Sequence, residues 1–219
     1  MKTNYNGKDK ALIKSFLLKY DDAYNNYAQF IMNNFYNEIG EKSDTICSIK
    51  SYLNLNEIKN DKYKSYFNFL KKNYDLTGNI MEVACGPFPT ISTYVDNYQR
   101  HNKKGSICAY DPVLINGPLG KIQLNREYFD DNTDISNIDF IFATSPCKLT
   151  MDLIRIANNN DKEFSILLCS CLSRKFRNRN AYLNYLIKYA YETNNEDANI
   201  NIEYLDDEYN YPIIYKKKY

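Results

Sequence analysis

A short stretch near the middle of the chain combines residue types that can bind a ligand through the backbone. Ile80 to Ala84 is a mostly apolar run with one acid, Glu82, and Cys85 to Pro89 holds a glycine and two prolines. Gly and Pro predict a tight turn, and Thr90, the expected N-cap, begins a helical spacing. A turn between a strand and a helix lies where α/β sheets bind ligands. Its N–H groups and the helix N-terminus favour an anionic or electron-rich ligand.

A second candidate is the acid that follows the next predicted strand. Ser106 to Tyr110 forms a short, partly apolar run that ends at Asp111 and Pro112. Asp111 follows Gly86 by 25 residues. That is slightly longer than the ~20 residues at which an acid accepts hydrogen bonds from ribose hydroxyls after a glycine-rich turn. The alternative is that Asp111 only caps a turn or a helix.

Further apolar runs predict the rest of an α/β sheet. A third strand is expected within residues 122–129, and the closing pair of strands is expected to form a hairpin around an acidic turn. Pro212 indicates an edge position for the last strand, because proline cannot donate to a β-ladder. The runs assigned to the fourth, fifth, sixth and seventh strands are Asp139 to Thr144, Glu163 to Cys169, Ile200 to Leu205 and Tyr211 to Tyr215.

Three cysteines lie at or near the ends of the fourth and fifth predicted strands. Cys147 closes the segment Ser145-Pro146-Cys147. It is interpreted either as a small buried residue or as a thiol that lines a substrate site. Cys169 and Cys171 share one face of the fifth strand, and we expect them in the core, because two thiols alone do not make a metal site.

A basic cluster follows the fifth predicted strand. Arg174, Lys175, Arg177 and Arg179 fall within six residues. The cluster is either a solvated loop or an anchor for a carboxylate or phosphate on a substrate, and Arg177 or Arg179 could hold such a group with two hydrogen bonds.

The first 74 residues show helical spacing with many tyrosines on one side. Such a stripe is typical of the buried face of an amphipathic helix, and tyrosine hydroxyls can also reach a cleft. No glycine-rich or proline-rich linker separates these helices from the sheet. We therefore expect residues 1–74 to form a helical extension on the domain made by residues 75–219.

Composition limits the class of protein. The chain has 219 residues, 44% hydrophobic residues and a net charge of +1, which predicts a buried core and no overall attraction to nucleic acid. We find no signal-peptide pattern and no apolar run near the ~20 residues of a membrane span. The six cysteines lack paired metal spacing, and we expect reduced thiols in the cytoplasm. His101 is expected at an exposed helix end.

The turn and the strand order together resemble the class I S-adenosylmethionine (SAM) dependent methyltransferases. Glu82, Cys85, Gly86 and Pro87 match the first family motif, while Ala84 and Phe88 stand where glycines are usual. The resemblance implies an α/β, Rossmann-like methyltransferase sheet, mostly parallel with an antiparallel C-terminal hairpin, helices on both faces and an N-terminal helical extension. It also implies SAM as cofactor and a small-molecule substrate, which the basic cluster could bind if it is anionic.

The resemblance assigns site residues position by position. The implied cofactor-binding residues are Glu82, Ala84, Cys85, Gly86, Pro87, Asp111, Pro112, Asp130 and Thr144. Ser145, Pro146 and Cys147 end the strand that resembles the fourth family motif, so the resemblance implies that they bind substrate. In the family, an N-terminal extension often covers the substrate pocket, which adds Tyr24 and Tyr27 to the implied substrate-binding residues.

Two other functions remain open from the sequence. The segment Gly86-Pro87-Phe88-Pro89 also resembles the turn of nicotianamine synthases, which transfer the aminobutyryl part of SAM. The departures at Ala84 and Phe88 are compatible with a non-catalytic binding protein on a methyltransferase-like fold.

Overall fold

The computed structural model describes residues 62–86, 89–112, 114, 119–169, 176, 178–194, 199–205 and 210–218. The strands in these ranges are β1 Asn79–Val83, β2 Ser106–Tyr110, β3 Gln123–Asn125, β4 Phe140–Thr144, β5 Glu163–Leu167, β6 Asn199–Tyr204 and β7 Pro212–Lys217. The helices are α1 Lys62–Asn73, α2 Thr90–Asn102, α3 Thr150–Asn159 and α4 Arg179–Glu192, with a 3₁₀ helix at Cys147–Leu149.

The strands form one seven-stranded sheet in the order β3-β2-β1-β4-β5-β7-β6. The first five strands in this order are parallel to one another, and β7 runs antiparallel to both β5 and β6. The predicted α/β sheet with an antiparallel C-terminal hairpin is therefore confirmed. The predicted helices before residue 62 lie outside the described residues.

Helices cover both faces of the sheet, which explains why the central strands are apolar on both sides. Helices α1 and α2 bury one face, and α3 and α4 bury the other. The first face includes Leu70, Ile91, Ile107 and Phe142. The second face includes Met81, Ile141, Leu153 and Leu186. In the described ranges, no helix is long and apolar enough to cross a membrane.

The end of α2 is fixed against the start of β1. Lys103 ends the helix in the left-handed conformation with φ of 55°, and the Gln99 side-chain amide donates to the carbonyls of Leu76 and Gly78 at 3.1 and 3.0 Å. Gly105 has φ of +88°, and a Cβ there would lie 2.6 Å from the carbonyl oxygen of Thr77. Only glycine fits this close approach. His101 is exposed near the end of α2, as the sequence predicts.

Pro212 does not lie on an edge strand, so that prediction is wrong. Strand β7 lies between β5 and β6, and β6 forms the edge. The sheet tolerates proline here because Pro212 is the first residue of β7. At this position the missing N–H removes no hydrogen bond from the interior of the strand. Its carbonyl still accepts a hydrogen bond from the Leu168 N–H at 2.9 Å.

Tyr66 of α1 and Tyr74, just after the helix, are core residues whose hydroxyl groups make hydrogen bonds. Tyr66 is fully buried, and its hydroxyl donates to Ser165 Oγ on β5 at 2.9 Å. Tyr74, just after α1, donates to the carbonyl of Phe164 at 3.0 Å and stacks on Phe140 with ring centroids 4.0 Å apart. The predicted tyrosine face is thus the surface by which α1 packs on the sheet.

The Tyr66 hydroxyl provides a test of this packing. Tyr66→Phe should lower the free energy of unfolding by about 1–2 kcal/mol, because Ser165 is left buried without its donor. Urea unfolding would measure the change. Tyr128→Phe is the matched control, since Tyr128 is 77% exposed, and it should change stability by less than about 0.5 kcal/mol. Equal effects in the two variants would contradict the assigned role.

Candidate functional site

The strand order has its switch point between β1 and β4, and we call the carboxyl edge of the sheet at this point the crevice. From β1 the chain runs outward to β2 and β3, then returns to β4 on the other side of β1. Ligands of open α/β sheets bind outside the carboxyl ends of the strands at such a switch point. The segments that follow β1, β2 and β4 at this edge are the ones that contain Gly86, Asp111 and Ser145. The fold therefore brings three separate sequence candidates to one edge.

The turn after β1 has an uncommon backbone. Ala84 has φ of 54° and Gly86 has φ of 69°, although left-handed conformations are uncommon for residues other than glycine. The Ala84 N–H still donates to the Tyr110 carbonyl at 2.9 Å, so the turn stays attached to β2. Among the described residues, a Cβ added at Gly86 would meet nothing within 4 Å. Within the described ranges, no side chain or backbone atom therefore fills the space next to the Gly86 Cα.

Asp111 is bonded directly to this turn. Its Oδ2 accepts a hydrogen bond from the Gly86 N–H at 2.8 Å, and its own N–H donates to the Asn125 carbonyl at 3.2 Å. A carboxylate has about four acceptor positions, so one Asp side chain can accept hydrogen bonds from more than one donor. Asp111 also begins a turn, because its carbonyl accepts from the Leu114 N–H at 3.1 Å. Pro112 lies within that turn.

Glu82 lies beneath the turn rather than at its surface. It is 1% exposed, and its Oε2 accepts hydrogen bonds from the Ser92 N–H at 2.8 Å and the Ser92 hydroxyl at 2.6 Å. Ser92 is the third residue of α2, so Glu82 satisfies a helix N–H that has no partner within the helix. Burial raises the pKa of Glu82 to about 7, although the bonds from Ser92 act in the opposite direction.

Thr90 is not the N-cap of α2, so that prediction is wrong. The cap residue is Pro89, which provides no side-chain hydrogen bond, and Thr90 is the first helical residue. The side chain of Glu82 takes over part of the capping. In the described part of the chain, the hydroxyls of Thr90 and Thr144 are buried without a hydrogen-bond partner. Buried polar atoms are nearly always paired, so these two hydroxyls at the crevice can bond to a polar ligand or to water.

The segment after β4 is also held in uncommon conformations. Ser145 has φ of 57° and Cys147 has φ of 49°, and the Ser145 N–H donates to the Leu167 carbonyl on β5 at 2.7 Å. Pro146 is buried, whereas Cys147 is exposed. The interpretation of Cys147 as a small buried residue is therefore wrong. Strained backbone of this kind concentrates at functional sites.

Several sequence candidates lie elsewhere or outside the described residues. Asp130 is exposed, and its Oδ1 accepts from the Asn132 N–H at 2.8 Å in a loop well past the end of β3. Cys85 lies in the turn after β1, half-buried. Pro87, Tyr24 and Tyr27 fall outside the described ranges. Within those ranges no group of three or more His, Cys, Asp or Glu residues could hold a metal ion.

Solved structures of other proteins resemble this fold, although the sequence itself has no match. No protein-family model and no curated protein matches the sequence. A precorrin-6y C5,15-methyltransferase from Geobacter metallireducens has a TM-score of 0.46 and 12% identity over 74% of this chain and 94% of that chain. A SAM-dependent O-methyltransferase from Thermotoga maritima has a TM-score of 0.47 and 8% identity over 78% of this chain and 71% of that chain. At such low similarity, the interpretation of the site rests on the geometry of this chain.

The raised pKa of Glu82 predicts a pH dependence of stability. Its folded pKa of about 7 lies above the ordinary value of 4.5. Between these two pH values, the folded state therefore holds a proton that the unfolded state has released. The stabilising contribution is therefore complete below about pH 4.5 and is lost as the pH rises through 7. In Glu82→Gln, which keeps an acceptor oxygen for Ser92, we expect this loss to disappear. The free energy of unfolding of the variant relative to wild type should rise by about 1–3 kcal/mol from pH 5 to pH 8.

Chemical denaturation at the two pH values would measure this difference. Glu127→Gln is the control, because Glu127 is exposed and its replacement should leave the pH dependence of wild type unchanged. A pH profile of Glu82→Gln that runs parallel to wild type would show that Glu82 does not titrate in this range.

Proposed function

We propose that the protein is a SAM-dependent methyltransferase that acts on a small-molecule acceptor. The observation that carries the proposal is the bond between Asp111 Oδ2 and the Gly86 N–H, because it joins the acid at the end of β2 to the open turn at the end of β1. A ribose next to this turn would find a carboxylate acceptor for its hydroxyls.

The residues of the crevice offer the types of chemical group that SAM would need as partners. Ala84, Cys85 and Gly86 would line the methionine end, and Asp111 would accept from the ribose. The buried hydroxyls of Thr90 and Thr144, which have no partner among the described residues, are available to the polar atoms of the cofactor. Glu82 would act through Ser92 by holding the start of α2 under the turn.

The proposed methyl transfer depends more on the position of the acceptor than on a strong acid or base. When bound, SAM supplies a methyl group on a sulfonium sulfur that an acceptor displaces in line. The chain then has to align the acceptor and exclude water, which is catalysis by proximity and orientation. Ser145, Pro146 and Cys147 would form the acceptor side of the crevice. The extension before residue 62, with Tyr24 and Tyr27, would cover it.

The environment of Arg179 supports the proposal that the acceptor carries a carboxylate or phosphate. It begins α4, which follows the end of β5. Its Nε and Nη2 are buried and have no hydrogen-bond partner in the described residues. Buried N–H groups without partners are costly, and a carboxylate or phosphate can accept from two of them at once. Arg174, Lys175 and Arg177 of the same cluster lie outside the described ranges.

The proposed cofactor site predicts a loss of affinity in one variant. Asp111→Ala should weaken SAM binding by roughly 10- to 100-fold, because hydrogen bonds to a charged group contribute about 1.5–3 kcal/mol. Isothermal titration calorimetry would measure the affinity. Asp134→Ala is the matched control, since Asp134 is exposed in a loop and bonds the Ser136 N–H. Equal affinity in the two variants would contradict the assignment of Asp111.

Product analysis distinguishes methyl transfer from the alternatives. With SAM and a panel of small carboxylate- and phosphate-bearing acceptors, methyl transfer releases S-adenosylhomocysteine. Transfer of the aminobutyryl group would release methylthioadenosine instead. Failure of the folded protein to bind SAM would favour a non-catalytic binding protein.

A further inference from the structure

Two cysteines meet at the carboxyl ends of β4 and β5. The strands are adjacent and parallel, with Thr144 opposite Leu167. The segments that continue beyond them bring Cys147 Sγ to 3.5 Å from Cys169 Sγ. The prediction that Cys169 lies in the core of the fifth strand is wrong, because β5 ends at Leu167 and Cys169 is half-buried beyond it. Cys171 lies outside the described residues.

The backbone on both sides of this pair is well anchored. On the β4 side, the Ser145 N–H donates to the Leu167 carbonyl at 2.7 Å, and the Thr150 hydroxyl donates to the Cys147 carbonyl at 2.9 Å. On the β5 side, the Leu168 N–H donates to the Pro212 carbonyl at 2.9 Å. The two thiols are therefore held close together by the sheet itself.

The spacing is suitable for a disulfide bond. A disulfide has an S–S length of about 2.05 Å and joins Cα atoms about 4.4–6.8 Å apart, and neighbouring strands are spaced at about 4.8 Å. The sulfurs, now 3.5 Å apart, need to approach by only about 1.5 Å.

The other described cysteines differ from this pair. Cys85 and Cys108 are half-buried, and their thiols donate to backbone carbonyls of Tyr110 and Ile80. Burial raises the pKa of Cys85 well above its ordinary value and that of Cys108 to about 11. Because the thiolate is the reactive form, both are expected to be inert. Cys147, in contrast, is exposed to solvent.

We propose that Cys147 and Cys169 form a modification site at which a small-molecule disulfide, such as oxidised glutathione, converts the two thiols into an intramolecular disulfide. The Cys147 thiolate attacks one sulfur of the small disulfide and releases one thiolate. The Cys169 thiolate then attacks Cys147 Sγ in the mixed disulfide and releases the second. The two protons of the protein thiols end on the two small thiols, and the protein is oxidised as the disulfide is reduced.

The modification ties the segment after β4 to the end of β5. It would fix the short loop from Ser145 to Cys147 and remove the exposed thiol from the edge of the crevice. The inference rests on the geometry of the two sulfurs and not on the proposed function, so its test needs no substrate and no SAM.

The test uses the full chain treated with oxidised glutathione, then alkylated, digested and analysed by mass spectrometry. We expect a cross-linked pair of peptides that contain Cys147 and Cys169, and two fewer free thiols, with both changes reversed by dithiothreitol. Cys169→Ser should stop at the first step and keep glutathione on Cys147. Cys108→Ser is the matched control and should form the same cross-link as wild type.

Other outcomes would overturn the proposal. Alkylation of both Cys147 and Cys169 after treatment would show that the pair does not react. A cross-link from Cys147 to a different cysteine, such as Cys171, would show that Cys169 is not the partner. Circular dichroism of the Cys169→Ser variant establishes that it is folded, and the wild-type peptide map decides the question without any variant.

Discussion

The buried bond between Glu82 and Ser92 is the interaction on which the rest of the site depends. It joins the central strand β1 to the first turn of α2 and so fixes both ends of the connection that contains Gly86. A carboxyl group in the interior is costly, and bonds from an N–H and a hydroxyl offset that cost because hydrogen bonds are stronger in a low dielectric. The same residue gives α2 a cap that Pro89 cannot provide. One side chain therefore links the strand before the turn to the start of the helix after it.

With the turn fixed, the crevice is defined by strained backbone on both of its sides. Ala84 follows β1 and Ser145 follows β4, and both have positive φ. Such conformations cost about 1–3 kcal/mol each and persist only where the surroundings hold them. Here the holding bonds reach to neighbouring strands, from Ala84 to Tyr110 and from Ser145 to Leu167. The strain thus lies at the switch point of the sheet, where a ligand is expected.

The sequence predicted what depends on local pattern. Apolar runs and their punctuation identified the strands and helices, and the position of Asp111 after β2 was enough to bring it to the Gly86 turn. It did not predict features that depend on which strands become neighbours. Pro212 was assigned to an edge because its local pattern says nothing of β6 lying outside β7. The meeting of Cys147 and Cys169 requires the pairing of β4 with β5. The local pattern also predicts Thr90 as the cap, because the acceptor that replaces it, Glu82, comes from another element.

The measurement that tests the central claim most directly is a crystal structure of the protein with S-adenosylhomocysteine, a stable product analogue of the cofactor. The account predicts that the ligand lies across the carboxyl ends of β1, β2 and β4, with its ribose hydroxyls within hydrogen-bond distance of Asp111 and the Glu82–Ser92 bond unchanged. Binding at another surface, or a ribose without contact to Asp111, would contradict it.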